Sequence, residues 1–209
     1  MITPRRLGRP VPLSFMADVT PRVARGLLGK IILVRGAGGP AAGRIVETEA
    51  YRGDDAASHS RHGPTPRCSV MFGPPGRVYV YFIYGNHEML NLVTEPAGFP
   101  GAVLIRAVEP VCGASLMRSR RLKAGLLELT NGPGKLCRAL GVELSHTGQR
   151  LGGPVYSLFD DGYRPARIMV SPRVGIAAAQ EVPWRYFIEG NPFVSRCKEN
   201  GLARPFDSC

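Results

Sequence analysis

Residues 44–51 read RIVETEAY, with Glu47 and Glu49 two apart and Tyr51 at the same spacing again. The run is β-like. Side chains at i, i+2 and i+4 of a strand share a face, so Ile45, Glu47, Glu49 and Tyr51 line up, with Val46, Thr48 and Ala50 behind them. Neighbouring carboxylates repel, so at least one of the pair takes a raised pKa unless an arginine neutralises it. A carboxylate in such a place can serve as a general base. Two other readings stay open. A solvated hairpin face with two acids is the commoner arrangement. An acid/base pair acting on free sugars is the other, since residues two apart on a strand lie about 7 Å apart, near the inverting range.

A second stretch, RVYVYFIYGNHEMLN, puts Tyr79, Tyr81, Phe82 and Tyr84 within six residues, the last directly before a Gly-Asn turn. Such tyrosines usually pack on a core. A turn-adjacent ring projects beyond the core, and on a basic protein it can wedge into a base stack, while rings further down the strand can stack a base. A third stretch, GPGKL, holds Lys135. It lacks the full phosphate-loop pattern, so nucleotide hydrolysis is not supported. A glycine-rich helix start with a lysine can still hold one backbone phosphate. His59, His62 and Cys68 raise zinc, but a fourth ligand and a standard spacing are missing, so no metal and no cofactor are expected.

These stretches need a scaffold. A chain of 209 residues with 44% hydrophobic and 21% charged content is globular and large enough for one domain with a proper core. Lys plus Arg is 27 against 16 Asp plus Glu, a net charge of +11, which points to a polyanion such as nucleic acid. Coding bias can favour arginine over lysine, but it does not explain the surplus over acids. Five cysteines at scattered spacings, without C-x-x-C, argue for reduced thiols. No signal peptide and no membrane-spanning run is read. A monomer in the cytoplasm is expected, at the nucleoid if bacterial, or in the nucleus if eukaryotic.

Residues 1–13 are basic, carry three prolines and read as a flexible arm, with one domain over 14–209. Thr20 is expected as N-cap and Pro21 as the first residue of a helix that Gly29 closes. KIILVR and RIVETEAY form a hairpin across the turn-rich 36–43. A short helix capped by Asp54 or Asp55 is expected over 54–60, then a long loop over 61–76, of the functional or mobile kind. Residues 77–84 and 88–95 form a second hairpin, and 102–110 a central strand. Residues 112–130 are moderately helical. A helix starts at Pro133 and stops at Gly141, and three strands follow near 154–159, 166–171 and 184–189. The count predicts an α+β domain on a largely antiparallel, curved sheet with surrounding helices and a protruding β-hairpin.

Taken in order, RIVETEAY, ASHSR with TPR and MF, VYVYFIYG with Asn91 after it, VLIRAVEP, NGPGKLCRAL and PRVGI resemble the alkyladenine (3-methyladenine) DNA glycosylases, the monofunctional class without a helix-hairpin-helix. The resemblance spans roughly residues 20–195. It implies excision of alkylated or deaminated purines flipped out of double-stranded DNA, without strand cleavage. It implies that Glu49 activates a water that Arg106 and the carbonyl of Val174 help to hold. Tyr51, His59 and Tyr81 would wall the base pocket, and Asn91 would disfavour guanine at its edge. Tyr84 would fill the gap left in the duplex. Arg67 and Lys135 would contact phosphate. The family gives Glu47 no such role, which leaves it a structural one. The polar GNHE turn, a one-residue difference ahead of His59 and a short 141–165 segment depart from the family pattern and bear on substrate breadth. The competing reading is a basic nucleic-acid-binding module without chemistry.

Overall fold

The structure, a computed structural model, describes residues 7–83 and 85–206. Its longest strand is β3 (Gly39–Arg52), which carries RIVETEAY. The first half of β3 pairs with β2 (Ile31–Gly36), and its second half pairs along that edge with β9 (Arg185–Ile188). The opposite edge pairs along its length with β6 (Gly101–Cys112). Glu47 and Glu49 therefore lie in the interior of the sheet, with strands on both sides. The expected central strand over 102–110 is β6, and it is buried from Gly101 to Val108.

The remaining strands continue this layer. β5 (His87–Thr94) joins β6, and β4 (Val78–Ile83) joins β5 at the edge, so the aromatic hairpin ends the sheet. On the other side β7 (Tyr156–Asp160) joins β2, and β1 (Arg9–Pro10) joins β7. β8 (Ile168–Ser171) extends β9, and β10 (Arg204–Pro205) extends β8. All these pairings are antiparallel, and with the three α-helices among the described residues they make an α+β domain. Of the arm expected over 1–13, residues 1–6 lie outside the described residues. Beyond them, Leu7 is buried and Arg9–Pro10 are paired.

The helices cover apolar strand faces. α1 (Thr20–Leu27) turns Val23, Ala24 and Leu27 into the core, each side chain the size of Val or Leu contributing roughly 1.5–3 kcal/mol. Thr48 donates its hydroxyl to the Ala24 carbonyl at 2.9 Å, which places the Val46–Thr48–Ala50 side toward that helix. Gly29 closes the helix with φ +88°, as expected. Thr20 is not the cap. Val19 holds that position, and Glu95 satisfies the helix start instead, accepting from the Thr20 N–H and hydroxyl at 2.8 Å each. α2 (Ala114–Arg120) lies within the expected helical stretch. α3 (Pro133–Leu140) runs from its proline to Gly141 at φ +74° and packs against β5.

Two local expectations fail. Residues 36–43 are not mainly a turn, because β3 already begins at Gly39. Residues 54–60 are turns and bends rather than a helix. The Asp55 carboxylate is drawn into a buried ion pair with Arg173 and also accepts locally from the N–H of Ala57 at 3.0 Å. Among the described residues, no helix is long and apolar enough to cross a membrane.

Candidate active site

A bulged stretch of sheet sets the site's floor. Between β3 and β6, Ile45 opposes Val108, Glu47 opposes Ala107 and Thr48 opposes Ile105. Val46 and Arg106 are thus skipped, one on each strand. Bulges re-aim side chains, and here the unopposed Arg106 comes between the two carboxylates. Its Nε donates to Glu47 Oε1 at 2.9 Å and its Nη1 to Glu49 Oε2 at 3.3 Å. Burial opposes the guanidinium's charge, but Glu49 and Glu47 outweigh it and raise its pKa.

Both carboxylates are fully buried, so the solvated-face reading fails. Glu47 also accepts from Arg185 Nε at 2.7 Å, from the Ser195 hydroxyl at 2.7 Å and from the Ser195 N–H at 2.8 Å. Burial alone would raise its carboxyl, yet Arg106, Arg185 and the Ser195 donors hold it below its ordinary value. A group kept ionised in this way cannot supply the proton that the sugar-hydrolysing reading asks of one partner. Glu49 has different company. Its Oε1 accepts from the Val174 N–H at 2.7 Å, and its Oε2 accepts from the Tyr51 hydroxyl at 2.8 Å. Strand period alone puts Glu49 and Tyr51 on one face, and their hydrogen bond agrees.

Tyr51, Arg106 and Val174 line a cavity of about 500 Å³ that also meets His59, Tyr81 and Asn91. The ring centroids of His59 and Tyr81 stand 4.7 Å apart, edge to face. Burial, then the charge of Arg67, lowers the His59 pKa, so the imidazole is neutral at pH 7. Burial also raises the phenols of Tyr51 and Tyr81, with the charge of Glu49 a further cause for both. The rings are therefore uncharged. Asn91 directs its Nδ2 at two carbonyls, those of Met89 at 3.1 Å and Tyr79 at 3.2 Å. Two acceptors on one side fix the orientation of the amide and leave its oxygen pointing the other way.

The other expected residues are more dispersed. Arg67 is exposed, with its guanidinium 5.0 Å from the Tyr81 ring centroid. Lys135 donates to Asn131 at 2.8 Å, just ahead of the start of α3. Tyr84 lies outside the described residues. For Val174 the recorded contact is its N–H, whereas the sequence reading concerned its carbonyl. The three side chains that raised zinc have separate partners: His59 meets Tyr79, His62 meets Arg61, and Cys68 meets Thr65.

Sequence reasoning missed two contributors. Tyr79 lines the cavity, and its hydroxyl lies 3.0 Å from His59 Nδ1, while burial pushes its phenol up to about 12. The signal was present, since Tyr79 and Tyr81 are two apart on one strand and share a face. The Asp55–Arg173 pair gave no such signal, because its members are 118 residues apart.

A model of the Methylpurine-DNA glycosylase (MPG) family matches residues 14–192. A protein of Nitrosospira multiformis named "Putative 3-methyladenine DNA glycosylase" is 48% identical over 174 residues, covering 83% of this chain and 88% of the relative. A protein of the same name from Rhodopseudomonas palustris BisB18 is 48% identical over 191 residues, covering 91% and 93%. Another, from Anaeromyxobacter dehalogenans 2CP-1, is 46% identical, covering 89% and 85%.

Proposed function

The chain belongs to the methylpurine-DNA glycosylase family, and from that premise we propose that it flips alkylated or deaminated purines out of duplex DNA and hydrolyses their N-glycosidic bond at Glu49. One observation carries the reading. Glu49 lies behind the wall of an aromatic cavity, and each of its three donors belongs to a residue that lines that cavity.

The chemistry follows from the arrangement. A purine inside a duplex is out of reach, so it must be extruded at a cost of a few kcal/mol, less when it is damaged or mispaired. Stacking on Tyr51 and Tyr81 offsets that cost by about 1–3 kcal/mol per ring. A cationic alkylated purine suits these walls, since the rings are electron-rich and the neutral His59 does not repel it. Glu49 then takes a proton from water as its oxygen attacks C1′. The electron pair of the C1′–N bond leaves with the base, and an abasic site remains. Arg106 and the carbonyl of Val174 hold the water, and the Asn91 side chain at the pocket edge disfavours guanine by crowding its exocyclic amine. Tyr84 fills the vacated stack, while Arg67 and Lys135 meet phosphates. The family's motifs supply no amine nucleophile, so no Schiff base and no strand cleavage are expected.

The test is base release from duplexes carrying single 3-methyladenine, hypoxanthine or 1,N6-ethenoadenine lesions, with undamaged adenine as control. Cleavage should require hot alkali, and Glu49→Gln should lose at least about 100-fold in rate while still binding lesion DNA. A folded, DNA-binding wild type that releases none of these bases would establish the binding-module reading instead.

A further inference from the structure

Arg173 and Asp55 form an ion pair whose side chains are almost wholly shut off from solvent. The guanidinium grips both carboxylate oxygens, with Nη2 donating to Oδ1 at 2.8 Å. Its Nη1 also donates to the carbonyl of Ala50 at 2.8 Å. Its central carbon lies 4.7 Å from the Tyr51 ring centroid and 5.4 Å from that of Trp184.

These contacts join three segments, each bearing a cavity residue. Asp55 begins the turns that carry His59. Ala50 stands between Glu49 and Tyr51 on β3. Val174, the residue after Arg173, gives its N–H to Glu49. Arg173 itself does not line the cavity, so it acts on a bound base only through these neighbours. We propose that Arg173 is a positioning residue, which sets the Tyr51 and His59 walls and the Val174 peptide at one fixed distance from the Glu49 carboxylate. This rests on the reading of Glu49 as the general base. The planar fork is what the position needs. A lysine keeps the charge but cannot serve both Asp55 oxygens and the Ala50 carbonyl in fixed directions.

The experiment is single-turnover release of 1,N6-ethenoadenine or hypoxanthine, whichever wild type excises, with enzyme in excess at several concentrations. The rate constant at saturation belongs to folded molecules, so a loss of folded material alone does not lower it. Arg173→Lys should lower that constant on the order of 100-fold, the scale of a misplaced reacting group. The half-saturating concentration should stay within about three-fold, since a buried side chain does not touch DNA. Trp184, the chain's one tryptophan, reports by its emission whether the surroundings of residue 173 are folded. If Arg173→Lys does not fold, the near-isosteric Asp55→Asn carries the test, with a loss of about ten-fold expected.

Wild type and Glu49→Gln run alongside. An active wild type, an inactive Glu49→Gln and a folded Arg173→Lys with an unchanged saturating rate would overturn the role of Arg173 alone. Base release by Glu49→Gln at the wild-type rate would overturn the general-base reading, and this proposal with it.

Discussion

Glu47 and Glu49 stand on one strand, share Arg106 and are equally shut off from solvent, yet their other donors come from different parts of the molecule. Glu47 is held by Arg185 on β9 and twice by Ser195, and neither residue lines the cavity. Glu49 is held by Tyr51 and Val174, which both do. Burying a carboxylate costs several kcal/mol unless it is paired and hydrogen-bonded. Both sites meet that requirement, with two guanidiniums set against two carboxylates. If Glu49 is the general base proposed above and Glu47 a structural acid, burial and charge pairing do not tell the two apart. The location of the donors does. Where they form part of a cavity wall, a ligand can compete for the carboxylate.

Arg106→Met should break both halves of this comparison and have the largest effect. It leaves two buried carboxylates with one guanidinium between them. Denaturant unfolding should show a loss of about 3–5 kcal/mol, and single-turnover base release should fall at least about 100-fold in whatever remains folded. Wild-type release from the folded fraction would mean that Arg106 serves Glu47 alone.

Glu47→Gln should separate the halves. A neutral amide leaves Arg185 without its carboxylate, so stability should fall by about 3 kcal/mol in the same unfolding measurement. The saturating release rate of folded molecules should stay near that of wild type. Glu49→Gln should show the reverse, with release lost and the smaller change in stability. If both variants lost release equally at equal stability, the two carboxylates would form one functional unit.

Much of this arrangement was legible in the sequence. Period-two alternation placed Glu49 with Tyr51, and Pro133 and Gly141 bracketed a helix that the structure holds at Pro133–Leu140. Strands β2 and β4 to β9 lie close to where hydrophobic runs and turn residues put them, while β3 starts earlier, at Gly39. What stayed hidden was long-range. The distance along the chain from Glu47 is 138 residues to Arg185 and 148 to Ser195. No local pattern announces such partners, and so the stretch taken alone left a wet face of β3 as the commoner reading. The same blindness turned Asp55 into a helix cap, when its carboxylate is spent on Arg173. Two-residue strands such as Arg9–Pro10 are too short to show a period at all.

The finest distinction is in acid, where the expected effect is smallest. The folded Glu47 carboxyl is held below its ordinary value of 4.5 by Arg106, Arg185 and Ser195, against the opposing effect of burial. The unfolded chain therefore binds its proton first as pH falls. A depressed carboxylate contributes stability that is fully present above the unfolded value and is lost as pH falls through the folded one. Glu47→Gln cannot titrate there. The stability gap between wild type and Glu47→Gln, from urea unfolding at a series of pH values, should be flat near neutrality and narrow below about 4.5. Acids remote from this cluster titrate alike in both proteins, so the gap reports on the Glu47 site and the Arg106 it shares with Glu49. A gap that stayed constant down to acid unfolding would mean that Glu47 stabilises the fold by shape and hydrogen bonding rather than by charge. The contrast with Glu49 would then rest on geometry alone.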